Sequence, residues 1–174
     1  MPTIIEKRNN EAYLARCQAT LKTWGAPLQG WQCTDLIDYS GPEGGLTTCE
    51  LCGCTKVRFI HVMTHPHYFD PVEAGCICAG VMEGNELAAR ERERKARNRA
   101  KRRTTFLRKP WRTLANGNQM LRHKGQTIFI NHTTRGNYKI RVGNQVTWQY
   151  KGKPITSPLA ATYAAFDLID PKGD

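Results

Sequence analysis

Cysteine spacing constrains this chain more than any other feature. The stretch CELCGC at 49–54 holds Cys49-x-x-Cys52 followed by glycine, GCICAG at 75–80 holds Cys76-x-Cys78, and twenty-three residues lie between the pairs. A C-x-x-C-G turn aims backbone N–H groups at its sulfurs while the glycine takes the turn conformation, so the chain can present two thiolates to one ion. If both pairs serve the same ion, the segment between them must run out and return. KVRFIHVM (56–63) is a strand candidate and THPH (64–67) a turn, so the spacer is expected to be a hairpin that closes at the start of the helix after GCICAG.

The expected ligands are Cys49, Cys52, Cys76 and Cys78 around a structural Zn²⁺, and the spacer has the length found in ribbon and treble-clef sites. Four thiolates on one divalent cation carry excess negative charge, which knuckle amides, a helix N-terminus and nearby Arg or Lys would offset. The opening MPTIIEKRNNEAYLARCQ lacks the apolar core of a signal peptide, and no apolar run nears the roughly 18 residues of a membrane span. A cytoplasmic protein is therefore expected. Its seven cysteines, an odd count, then read as reduced thiols or ligands rather than disulfides.

Other donors compete. Cys54 adds a second short spacing to Cys52, and His61, His65 and His67 lie in the spacer, so a mixed Cys/His set stays open. Cys33, and Cys17 on a predicted helix, read as small buried hydrophobes. FIHVMTHPHYFD also has the look of a degenerate HNH-like nuclease element, in which one histidine activates water and others hold a metal. That constellation wants a further His or Asn on the next helix, where only Asn85 and Asn98 stand beyond Glu83 and Glu86. Asp70 and Glu73 are read as loop residues that cap or face solvent.

The net charge is +11, and its placement says more than its size. Between Arg90 and Arg112 twelve Lys or Arg face two Glu, a block that implies a polyanionic partner. NELAARERERKARNRAKRR is a strong helix former with Asn85 as its N-cap and favourable pairs from Glu91 to Lys95 and from Glu93 to Arg97. On a helical period, Ala89, Ala96 and Ala100 make a narrow small-residue stripe, and Arg90, Arg94, Arg97 and Lys101 a basic face. A second row runs through Arg92, Lys95, Arg99, Arg102 and Arg103. Such a helix suits phosphates, which confer affinity without sequence code, or an acidic protein surface.

The combination of CELCG, VRFIHVMTHPHYF and GCICAGVMEGNELAARERERKARNRAKRR resembles small zinc-finger proteins of bacteria and their mobile elements, over about residues 46–112. The resemblance implies a cytoplasmic metal-binding protein and brings no activity with it. Cys54 is an addition to that pattern.

Three segments are expected: 1–45 with a helix over 9–24 and a strand, 46–112 with the zinc hairpin and basic helix, and 113–174. In the last, GQTIFINHTT, GNYKIRVGN and QVTWQYKGK read as three strands, followed by a helix capped by Ser157 with Pro158 at its first position. Leu159, Tyr163, Phe166 and Ile169 of that helix are expected to cover the apolar sheet face. Lys139 and Arg141 fall on the opposite, polar face. The fold class is therefore α+β, a ribbon-like or treble-clef-like unit with a long basic helix followed by a βββα unit.

No Walker loop, dinucleotide fingerprint, G-x-S-x-G elbow or zinc-protease motif occurs. The expected function is a zinc-stabilised, non-catalytic nucleic-acid binder, DNA or RNA, contacting through Arg90, Arg94, Arg97, Lys101, Arg102, Arg103, Lys139 and Arg141. The alternatives are a protein that docks on an acidic protein or ribonucleoprotein complex, and a metal-dependent nuclease.

Overall fold

The computed structural model describes residues 4–41 and 44–173. The fold is mixed α+β with antiparallel sheets, and it divides into two compact units, Met1–Arg97 and Asn98–Asp174. Among the described residues no helix is long and apolar enough to cross a membrane.

The first unit contains α1 (Ile4–Thr23), β1 (Gln32–Asp38), β2 (Phe59–His65), β3 (Tyr68–Ala74), α2 (Cys76–Glu83) and the first half of α3 (Glu86–Leu107). The strands pair in the order β1-β2-β3, and β2 and β3 form the expected hairpin around Pro66 and His67. The segment boundary expected after residue 45 falls within this unit. Cys17 and Leu21 of α1 and Trp31 share one core with Met63, Ala74, Ala79, Met82 and Ala89, because α1 alone has no other apolar surface to bury its stripe against.

Glycines set the turn between α2 and α3. Gly84 takes the left-handed conformation at φ 70°, and the N–H groups of Gly84 and Asn85 return to the carbonyls of Val81 and Gly80. The Asn85 side chain then accepts from the Ala88 N–H at 3.0 Å and caps α3, as its sequence signal predicts. A Cβ at Gly80 would come within 2.9 Å of the Glu86 Cα, so the close crossing of the two helices requires glycine there.

The second unit is larger in sheet than the βββα expectation. It holds the rest of α3, then β4 (Arg112–Thr113), β5 (Gln119–His123), β6 (Gln126–His132), β7 (Tyr138–Val142), β8 (Gln145–Thr147), β9 (Gln149–Tyr150), β10 (Lys153–Pro154) and α4 (Pro158–Ile169). Strands β4 to β8 form one sheet in chain order, and β9 and β10 a separate ladder. The expected strand over 145–153 is thus broken at Trp148 and turned at Lys151-Gly152, both of positive φ. The missed β5–β6 hairpin turns at Lys124 and Gly125, again both of positive φ, a two-residue loop that matches strand twist.

One face of this sheet is buried. Leu121, Ile128, Ile130, Ile140 and Val142 pack with Ala161, Ala164, Ala165 and Phe166 of α4 and with Phe106 of α3. Each fully buried aliphatic side chain here is worth roughly 1.5–3 kcal/mol. Ser157 accepts from the Ala160 N–H at 3.1 Å and caps α4 with Pro158 at its start. Leu159 is 50% exposed and does not cover the sheet; the alanines, one helical turn apart, allow the closer approach.

Candidate metal centre and basic surface

The knuckle forms as its spacing requires. The Gly53 N–H returns to the Cys49 carbonyl at 2.8 Å, the Cys49 N–H to the Cys54 carbonyl at 2.9 Å, and Gly53 has φ 75°. From α2 comes Cys78, and the sulfurs of Cys49, Cys52 and Cys78 lie within 4.8 Å of one another, a group that could hold a metal. Cys49 and Cys78 are buried and Cys52 is exposed. The Gly75 N–H donates to the Cys49 sulfur at 3.3 Å, as amides do to thiolates in such centres. The Cys78 thiol, together with the Gly75 and Cys52 N–H groups, lowers the Cys49 pKa to about 5, against the opposing effect of burial.

Cys76 does not join this group. It is the first residue of α2, and two residues along a helix turn a side chain by about 200°, so Cys76 and Cys78 point to opposite sides. Cys76 instead forms a second group with His61 and Glu93, whose ligand atoms also lie within 4.8 Å and could hold a metal. Burial and then the Glu93 charge push the Cys76 thiol up to about 11. His61 is fully buried, its Nε2 is 3.5 Å from Glu93, and Arg92 donates to its Nδ1 at 3.0 Å. Arg92 also holds Glu83 in a two-pronged contact, and Arg97 holds Glu93. A guanidinium directly on the imidazole opposes a cation there, so the second group is the poorer of the two.

Cys54 is exposed, and Cys33 is half-buried with its sulfur 4.0 Å from His61 Nδ1. His65 packs edge-on against Trp31 at the far end of β2, and its Nδ1 accepts from the His67 N–H. Glu73 accepts from the Tyr39 hydroxyl, and Asp70 is exposed. The structure brings His61 to Glu93 and Cys76 rather than to the other two histidines of the HNH-like expectation.

Cys17 lies beside the first group. It is 2% exposed, shares the core with Cys49 and Cys78, and lines one cleft with Tyr13, Leu51 and Cys52. One turn earlier on α1, the Tyr13 hydroxyl is 2.7 Å from the Cys78 sulfur. Cys17 is the buried core residue its sequence suggests, and Tyr13, four residues earlier, shares its face of α1.

The basic helix carries its own counterions. Arg90 pairs with Glu86, Arg92 with Glu83, Arg94 with Glu91 and Arg97 with Glu93. Arg99 and Arg102 both reach Asp170, and Arg102 holds that carboxyl below its ordinary range. Arg103 is buried over the Tyr163 ring. Lys101 forms no ion pair among the described residues. Exposed pairs of this kind contribute at most about 1 kcal/mol, but each carboxylate stays beside its cation and repels an incoming phosphate.

The open face of the second sheet has the opposite character. Strand register places Arg112, Met120, Phe129, Arg141 and Val146 in one row across five strands, with Arg122 and Thr127, then Asn131 and Lys139, in flanking rows. Arg141 lies 4.8 Å from the Phe129 ring centroid, and Lys139 lies 5.4 Å from that of Trp148, which is 54% exposed. None of Arg112, Arg122, Lys139 and Arg141 is ion-paired among the described residues. No Asp or Glu occurs between Glu93 and Asp167. That run of sequence was a readable sign. The second unit carries fifteen Lys and Arg against three Asp, and the first eleven against twelve acids, so the whole net charge belongs to the second unit.

Compared with protein-family models, curated proteins and solved structures, the chain matches none.

Proposed function

We propose that the chain is a zinc-stabilised, non-catalytic nucleic-acid-binding protein in which the first unit is built around the metal and the second unit makes the contact. One observation carries the reading: an open five-stranded sheet face with four cations, two aromatic rings and no carboxylate. Cations on such a face meet phosphates, and exposed rings offer surfaces for unstacked bases, as on other sheet platforms that bind single strands.

This moves the main contact away from α3. Arg90, Arg94, Arg97 and Arg102 have carboxylate neighbours that the sheet cations Lys139 and Arg141 lack. The zinc would be structural, since Cys49 and Cys78 belong to the core that α1, β2, β3 and α2 share. Zinc is the divalent ion that a thiolate set in a reduced compartment selects.

The test is binding of the full chain to short DNA and RNA, single- and double-stranded, across a salt series. Affinity that falls steeply with salt and favours one polymer supports the reading. Absence of binding at low salt by a fully metallated protein removes it and favours docking on an acidic protein surface.

A further inference from the structure

The three sulfurs of Cys49, Cys52 and Cys78 are one short of a closed site. Structural zinc is four-coordinate and tetrahedral, with Zn–S near 2.3 Å, so its sulfurs stand about 3.8 Å apart. Three donors at that scale leave a position for a fourth.

Cys76 cannot supply it from the far side of α2, and Cys54 is exposed outside the group. Cys17 can. It lines one cleft with Cys52, shares the core with Cys49 and Cys78, and is almost fully buried on a helix whose neighbouring positions are largely exposed. Arg16, adjacent on α1, lines the same cleft and adds a positive charge there. The Tyr13 hydroxyl, 2.7 Å from Cys78, stands where a ligand sulfur would accept a hydrogen bond from the second shell.

We infer that Cys17 is the fourth ligand, so that the ion joins the N-terminal helix to the C-x-x-C knuckle and to α2 in one tetrathiolate centre. The inference rests on the metal reading of Cys49, Cys52 and Cys78 and extends it to α1. Its consequence is that α1 is held by the metal as well as by the apolar contacts of Leu21 and Trp24. Loss of the ion then releases α1 first.

Co²⁺ substitution in the full-length protein tests this, because thiolate-to-cobalt charge transfer scales with the number of sulfurs. The wild type should bind one equivalent with the intensity of four thiolates. Cys17→Ala should lose about one quarter of that intensity, and Cys76→Ala should keep it all. Retained intensity in Cys17→Ala, with loss in Cys76→Ala, would overturn the assignment. Extended X-ray absorption on the wild-type zinc protein decides even if Cys17→Ala does not fold: four sulfurs support Cys17, whereas three sulfurs with one oxygen or nitrogen reject it. A wild type that binds neither metal defeats the parent reading instead.

Discussion

Arg141 is where the sheet reading is most exposed to test. It lies in the central row, between Phe129 and Val146, with no acidic partner among the described residues. If Arg112, Arg122, Lys139 and Arg141 each neutralise one phosphate, log K against log salt should have a slope of about −3.6 for duplex and about −2.8 for a single strand. Arg141→Gln should reduce that slope by about 0.7 to 0.9 and weaken binding at every sequence alike. Its cation–π contact with Phe129, worth about 0.5–1 kcal/mol at an exposed site, is lost too. The matched control is Arg94→Gln on α3, which removes a cation already paired with Glu91 and should leave the slope within error. Fluorescence anisotropy at five or six salt concentrations reads both. Should Arg94→Gln flatten the slope while Arg141→Gln leaves it untouched, the helix is the contact and the argument from ion pairing is wrong.

Three further outcomes are expected. Stripping the metal with a chelator should open the first unit to trypsin at Arg16 and Lys22 of α1 while the second unit stays resistant; mass spectrometry of the fragments reads the order of cleavage. Gly80→Ala should destabilise the first unit by about 1–3 kcal/mol in urea, because the new Cβ meets the Glu86 backbone rather than a flexible side chain. Asp170, whose folded pKa is depressed, contributes stability that is present above its unfolded value of about 4 and disappears as pH falls through the folded one. Asp170→Asn should therefore lower the melting temperature at pH 7, by an amount equal to at most about 1 kcal/mol, and the gap from wild type should close below about pH 4.

Much of the local structure was readable because its causes are local. The C-x-x-C-G turn, the Asn85 and Ser157 caps and the β2–β3 hairpin each depend on a few adjacent residues, and each forms as its motif requires. The α+β class followed from the change of hydrophobic period along the chain. Where local signals were weak, elements were missed: β4 is two residues long, and the Lys124-Gly125 turn carries no Asn-Gly or Asp-Gly signal.

Tertiary structure decided which donors meet. Cys76 and Cys78 are equivalent in the sequence, and only the start of α2 at Cys76 assigns them to opposite sides, Cys78 to the sulfurs and Cys76 to His61 and Glu93. Cys17 lies thirty-two residues before Cys49, beyond any spacing rule, and joins Cys49 and Cys78 in one core because α1 buries Cys17 and Leu21 there. The same holds for charge. A run of arginines states that cations are present, but which of them face solvent without a carboxylate depends on contacts as distant as Arg102 with Asp170, sixty-eight residues away. By itself the sequence determined the donors, the turn and the excess of positive charge, all of them properties of residues and their neighbours. The meeting of the three sulfurs and the open basic face arise from packing between segments far apart in the chain, and only the folded structure could decide them.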